Sequence, residues 1–175
     1  MIRTIVICLA MATAMAVVPV AWSQSAEPEP KPYTQAFLKN AAEMQQAQIS
    51  LALLVDERAA STRVKEFAQE MIVAHKRISR EIQEMAGAKG VPLPSELSDE
   101  HKQKLKELTK LSSHAFDREY MQYILWDHQR DVQEFEESMQ TVEDPDVLHW
   151  SYRTLPMFRA HVEEARWIKQ SLQTS

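Results

Sequence analysis

Gly87 and Gly90 are the only glycines in this chain of 175 residues, and no other feature narrows its fold so sharply. A turn-rich β-sandwich needs glycine at many reversals, and a nucleotide-binding fold needs a glycine loop against phosphate, so both are excluded. Strand-like alternation is absent too. Instead, four long stretches repeat apolar residues at alternating steps of three and four, the spacing of helix faces that pack around a bundle core.

The stripes can be followed residue by residue. The first runs Phe37, Ala41, Met44, Gln48, Leu51, Val55, and the second Val64, Ala68, Met71, His75, Ile78, Ile82, Met85. The third runs Met121, Leu125, His128, Val132, Phe135, Met139, and the fourth Thr154, Phe158, His161, Ala165, Ile168, Leu172. Punctuation supplies the boundaries. Thr34 opens a helix to about Ala60, and Ser61 caps one to about Ala86. The segment 87–97 (GAKGVPLPSEL) is the one clear break. A short helix follows from Ser98, with Leu105, Leu108 and Leu111 on one side. Ser112 and Ser113 open a third long helix to about Thr141, and Asp144-Pro145 opens a fourth to about Leu172. Short connections at 60–62 and 142–145 make two antiparallel hairpins. The expected fold is therefore all-α, an up-down four-helix bundle with a short extra helix between its second and third long helices.

Residues 1–23 read as an address. Arg3 precedes an almost unbroken apolar run from Ile5 to Ala21, and small residues follow at Ala21, Ser23 and Ser25, the pattern of a cleaved export signal. Residues 24–33 include a proline-punctuated acidic linker, and 34–173 form the bundle domain. Loss of 1–23 also removes Cys8, the single cysteine, so the exported domain relies on its core and not on disulfides. The expected location is the periplasm or cell envelope. A net charge of −5 with pI near 5.7 argues against nucleic acid, which is held by clustered Lys and Arg. No membrane span remains after cleavage, and a protein partner or a second copy of the chain stays open.

Each apolar stripe is interrupted once near mid-helix by a polar residue: Gln48, His75, His128 and His161. Counted from turns centred at 61 and 144, Gln48 and His75 lie 13 and 14 residues away, and His128 and His161 lie 16 and 17 away. At 1.5 Å per residue that is roughly 20 and 25 Å from the respective turns, so both pairs fall near the bundle's middle. Three imidazoles brought together in a core cannot all be protonated, and neutral imidazole is a ligand for zinc, copper or nickel. His75, His128 and His161 are thus candidate metal ligands, with Gln48 as a possible accessory that orients an imidazole or holds a water. Asp127, Asp131 and Glu164 flank them and could accept from the imidazoles, but their helical phase sets them at the edge of the core, so they read as solvated surface charges. His101, His114 and His149, near helix starts, read as surface residues. Trp126, Trp150 and Trp167 read as packing between the last two long helices, and Pro156 as a kink. Met71 and Met157, one turn from His75 and His161, are the methionines that would favour copper(I), against ordinary core filling.

Several motifs occur together in order: Val64-Lys65-Glu66-Phe67-Ala68-Gln69-Glu70-Met71 leading to His75, Gly90-Val91-Pro92-Leu93-Pro94, Phe116-Asp117-Arg118-Glu119-Tyr120, Asp127-His128, and Leu155-Pro156 before His161. Over roughly residues 34–170 the chain resembles the exported bacterial family called domain of unknown function 4142. The resemblance implies a ferritin-like helical bundle, an exported or outer-membrane-associated setting, and histidines at 75, 128 and 161. Two positions depart from the family's habit: Ala74 where an acid often precedes the first histidine, and Gln48 where a glutamate is frequent. Di-iron chemistry is not expected, because Ile72, Leu125 and Phe158 stand where a Glu-x-x-His pattern needs acids.

No Ser-His-Asp order, phosphate loop or carboxylate pair suggests an enzyme. Two readings remain from the residues: an exported bundle binding one transition-metal ion through three histidines, or a metal-free envelope stress or interaction protein with histidines that are only packed and hydrogen-bonded.

Overall fold

The computed structural model describes residues 30–173, so the expected signal and most of the linker lie outside the described residues. The chain forms α1 (Pro32–Leu53), α2 (Val55–Arg58), α3 (Thr62–Ala88), α4 (Asp99–Leu108), α5 (Ser113–Met139) and α6 (Pro145–Ser171). The four long helices are α1, α3, α5 and α6. The extensive interfaces are α1 with α3 and α5 with α6, the two hairpins, and α4 packs on α1 and α5. This is the expected up-down bundle with its extra helix. No helix among the described residues is long and apolar enough to cross a membrane.

The boundaries follow local chemistry. The Ser61 side chain accepts from the Val64 N–H to cap α3, and Asp144 Oδ1 accepts from the N–H groups of Asp146 and Val147, each at 3.1 Å, to cap α6 with Pro145 at its first position. At the end of α3, Gly90 takes φ of +65°. That left-handed residue lets the Val91 N–H reach the Ala86 carbonyl at 2.9 Å and the Gly90 N–H reach that of Gly87 at 3.2 Å, the paired bonds that close a helix C-terminus. One expectation is corrected. The first helix does not run unbroken to Ala60: the Leu54 N–H bonds back three residues to Leu51 at 3.2 Å, a tightened turn that separates α1 from α2 while Val55 stays buried. Ala59 is then extended. α6 runs through Pro156 to Ser171, the span expected for the fourth long helix.

Asp117, fully buried on α5, fixes the first hairpin turn to the second hairpin. Its carboxylate accepts from the N–H groups of Ala60 at 3.2 Å and Ser61 at 2.9 Å. The core itself falls into two apolar clusters. One gathers Leu51, Phe67, Met71, Phe116, Tyr120, Ile124 and Ile168, among others. The other gathers Phe37, Leu38, Ile78, Ile82, Phe135, Trp150 and Phe158, among others. On every long helix the residues between these clusters are the polar interruptions of the stripes.

Asp117→Ala removes a buried acceptor and leaves two turn N–H groups without partners. It should lower unfolding stability by about 2–3 kcal/mol, as charge-assisted hydrogen bonds and orphaned groups of this kind do, measured as the shift in urea midpoint at constant m-value.

Candidate metal centre

Between the two clusters, α3 supplies His75, α5 His128 and α6 His161. The ring centroids of His75 and His161 are 5.3 Å apart, those of His75 and His128 5.6 Å, and those of His128 and His161 5.8 Å. One nitrogen from each lies within 4.8 Å of the others, and this is the one group of three or more His, Cys, Asp or Glu donors that converges among the described residues. His75 and His128 are buried at 1% and 2% exposure, whereas His161 retains some solvent contact. Phe158 stacks on His75 at 6.0 Å and Phe67 meets His161 in a T-shaped contact at 6.5 Å, so apolar rings flank the slice.

The hydrogen bonds dictate how two of the rings present themselves. His128 Nδ1 donates to the Ile124 carbonyl at 3.1 Å. A carbonyl only accepts, so the proton sits on Nδ1 and Nε2 carries the lone pair. His75 Nδ1 donates to Gln45 Oε1 at 2.7 Å with the same consequence. The Nε2 atoms of His75 and His128 and the Nδ1 of His161 are buried without a hydrogen-bond partner. Burial pushes the protonation of all three downward, and the mutual repulsion of the imidazolium forms adds to it at His75 and His128. His75 falls well below the usual histidine range, and His128 and His161 fall to about 4. At neutral pH the slice therefore holds three neutral imidazoles with unused nitrogens.

The fourth polar interruption does something else. Gln48 Nε2 donates to Asp127 Oδ2 at 2.7 Å and to Asp131 Oδ2 at 3.4 Å, so the residue that orients an imidazole is Gln45, one turn earlier. Gln48 Oε1 and Gln45 Nε2 remain buried and unpartnered. Asp127 and Asp131 are not solvated surface charges: they are 0% and 7% exposed. Arg130 Nη2 donates to Asp127 Oδ1 at 2.7 Å, and His101 Nε2 lies 3.5 Å from Asp127 Oδ2. Nor is His101 a surface residue, since α4 folds it against Glu43, which its Nδ1 meets at 2.9 Å. Burial opposes charge on His101, but Asp127 and Glu43 outweigh it and raise its pKa to about 10. Asp131, desolvated and beside Asp127, is pushed well above the usual carboxylate range. Glu164 instead pairs with Arg63 at 2.9 Å, and His114 and His149 are exposed.

Other expectations resolve as plainly. Trp150 is core, but Trp126 and Trp167 are 45% and 57% exposed, each covered by a guanidinium, Arg130 at 4.6 Å and Arg63 at 5.1 Å. The Met157 sulfur accepts from Arg77 Nη2 at 3.7 Å, and Met71 lies in the apolar cluster.

The fold and this slice define a ferritin-like helical bundle with a cluster of three histidines at its centre. The chain belongs to the family described as Domain of unknown function (DUF4142), whose pattern matches residues 20–168. A solved structure, the crystal structure of a DUF305 fragment from Deinococcus radiodurans, shares the fold at a TM-score of 0.72 and 18% identity, covering 85% of this chain and 100% of that one. No curated protein matches the chain.

The depressed histidines and the raised His101 have opposite effects on stability. For His128 the unfolded chain binds its proton at higher pH than the folded one, so its contribution falls as pH drops from about 6.5 toward 4. For His101 the folded chain holds the proton more tightly, so its contribution is complete below about 6.5 and disappears as pH rises through about 10. Urea unfolding of chelator-treated protein should show both limbs. The stability gap between wild type and His128→Leu should change on the acid limb alone, and the gap between wild type and His101→Leu should be widest below about pH 6.5 and close as pH rises through about 10.

Proposed function

We propose that this protein is an exported module that binds one transition-metal ion, zinc, copper or nickel, in the bundle core through His75, His128 and His161. The observation that carries the reading is the convergence of three neutral imidazoles whose inward nitrogens have no other partner, two of them in tautomers set by Gln45 and the Ile124 carbonyl. An unpartnered buried polar atom costs about 1–3 kcal/mol, and one ion satisfies three together. Imidazole nitrogen is the donor these metals favour, and a neighbour that holds the second ring nitrogen is the usual support for a histidine ligand. Nitrogens on a tetrahedral ion with bonds near 2.0–2.1 Å stand roughly 3.3 Å apart, so separations of up to 4.8 Å close by modest side-chain rotation. Three protein donors leave further positions to solvent, and Gln48 Oε1 remains as an accessory acceptor. Export rests on residues 1–23, and periplasm or envelope is the compartment that follows.

Calorimetric titration of the purified protein with Zn²⁺, Cu²⁺ and Ni²⁺ should give one high-affinity ion per chain. The triple change His75→Ala, His128→Ala, His161→Ala should abolish it, and Gln45→Leu should weaken it about 10–100-fold, the usual loss when a ligand's support is removed. Affinity unaltered in the triple variant contradicts the assignment. Cell fractionation with N-terminal sequencing reads the location, with a chain beginning near residue 24 expected outside the cytoplasm.

A further inference from the structure

A buried ion must have a route to its ligands, and the three histidines are not equivalent in that respect. His75 and His128 are enclosed, and each is tied by its second nitrogen to Gln45 or Ile124. His161 keeps part of its surface in solvent and its buried Nδ1 makes no hydrogen bond. Two ligands are held and one is free to turn.

The four sides of the bundle differ as well. Two are the extensive hairpin interfaces. The α1–α5 side is covered by α4 and locked behind it by the chain Glu43, His101, Asp127 and Gln48. Among the described residues no further helix packs across the α3–α6 side, which is spanned by separated cross-links. Arg63 on α3 meets Glu164 on α6 at 2.9 Å, and Arg77 meets the Met157 sulfur at 3.7 Å. His161 lies between Met157 and Glu164 on α6. On α3 the position midway between Arg63 and Arg77 is Glu70, seven residues from each and so on the same face. Glu70 is exposed, and it forms no ion pair among the described residues. Ala74, the next residue along that stripe, is half-buried and presents only a methyl group. Because Arg63 meets Glu164 and Arg77 meets Met157, the antiparallel register sets Glu70 and Ala74 opposite the His161 turn of α6, a stretch with one small side chain and one uncommitted carboxylate.

Resting on the metal-binding reading above, we infer that ions exchange with the core through this α3–α6 window, with His161 as the ligand that swings and Glu70 as the carboxylate that first meets the cation. A fixed His75–His128 pair then receives the ion as His161 closes behind it. The role of Glu70 is kinetic: it raises the local cation concentration at the window, and salt screens it.

Two measurements test this. Diethylpyrocarbonate treatment of metal-free protein, read by peptide mass spectrometry, should modify His161 along with the exposed His114 and His149, and spare His75 and His128. Equal modification of all three core histidines, or a spared His161, overturns the window. In stopped-flow experiments at low ionic strength, Glu70→Gln should slow Zn²⁺ uptake and chelator-driven release by a common factor of about three to ten, and 0.5 M salt should remove the difference. Glu134→Gln, at an exposed carboxylate 3.6 Å from Arg130 that lines the cleft shared with Glu43 and His101 on the α4 side, should exchange at the wild-type rate. A protein that takes up none of Zn²⁺, Cu²⁺ and Ni²⁺ overturns both readings. Histidine-dependent Zn²⁺ binding in which Glu70→Gln matches wild type, or Glu134→Gln shows the same slowing, overturns this one alone.

Discussion

Three imidazoles share one slice of a helical bundle, two of them buried and the third partly so, and the rest of the structure is arranged around that burial. Desolvation and mutual repulsion keep the rings neutral, and a neutral imidazole must place one donor and one acceptor. The donors of His75 and His128 are satisfied within the protein and the inward acceptors are not. An apolar trio such as leucine would pack there without that penalty. The apolar core is consequently two clusters above and below a polar layer, and each cluster must hold the helices in register for the layer to exist.

Beside it lies a second polar layer with different logic. Asp127, adjacent in sequence to His128, faces away from the trio and toward Arg130, His101 and Gln48. Its charge is matched locally, so the histidine slice has no carboxylate among its converging donors. The two layers meet through α1, where Gln45 serves the histidines and Gln48 the carboxylates, one helical turn apart. This division makes the centre a nitrogen site and leaves oxygen chemistry to the α4 side.

The helices, the hairpins and the depth of the three histidines were legible in the sequence because each rests on a local period: stripes of three and four, caps at Ser61 and Asp144, and turn residues at Gly90 and Pro145. What was not legible depends on distant chain segments. Asp127 and Asp131 sit at the edge of the α5 stripe, and they are buried only because α4 crosses over them, bringing His101 and closing against Glu43. Gln45 left a fainter trace. Leu38, Gln45 and Ala52 form a heptad row beside the main stripe, all buried, and a glutamine in such a row signals a hydrogen-bonding partner across the core. The short break at Leu54 has no marker, since leucine there suits a continuous helix as well as a tightened turn.

X-ray absorption at the zinc edge of stoichiometrically loaded protein bears on the central idea most directly, because it counts the rings around the ion. Three imidazole nitrogens at about 2.0–2.1 Å, with the outer-shell scattering of their rings, are the predicted signature. A first shell of oxygen donors without imidazole scattering would show that the histidine slice is not where the ion goes.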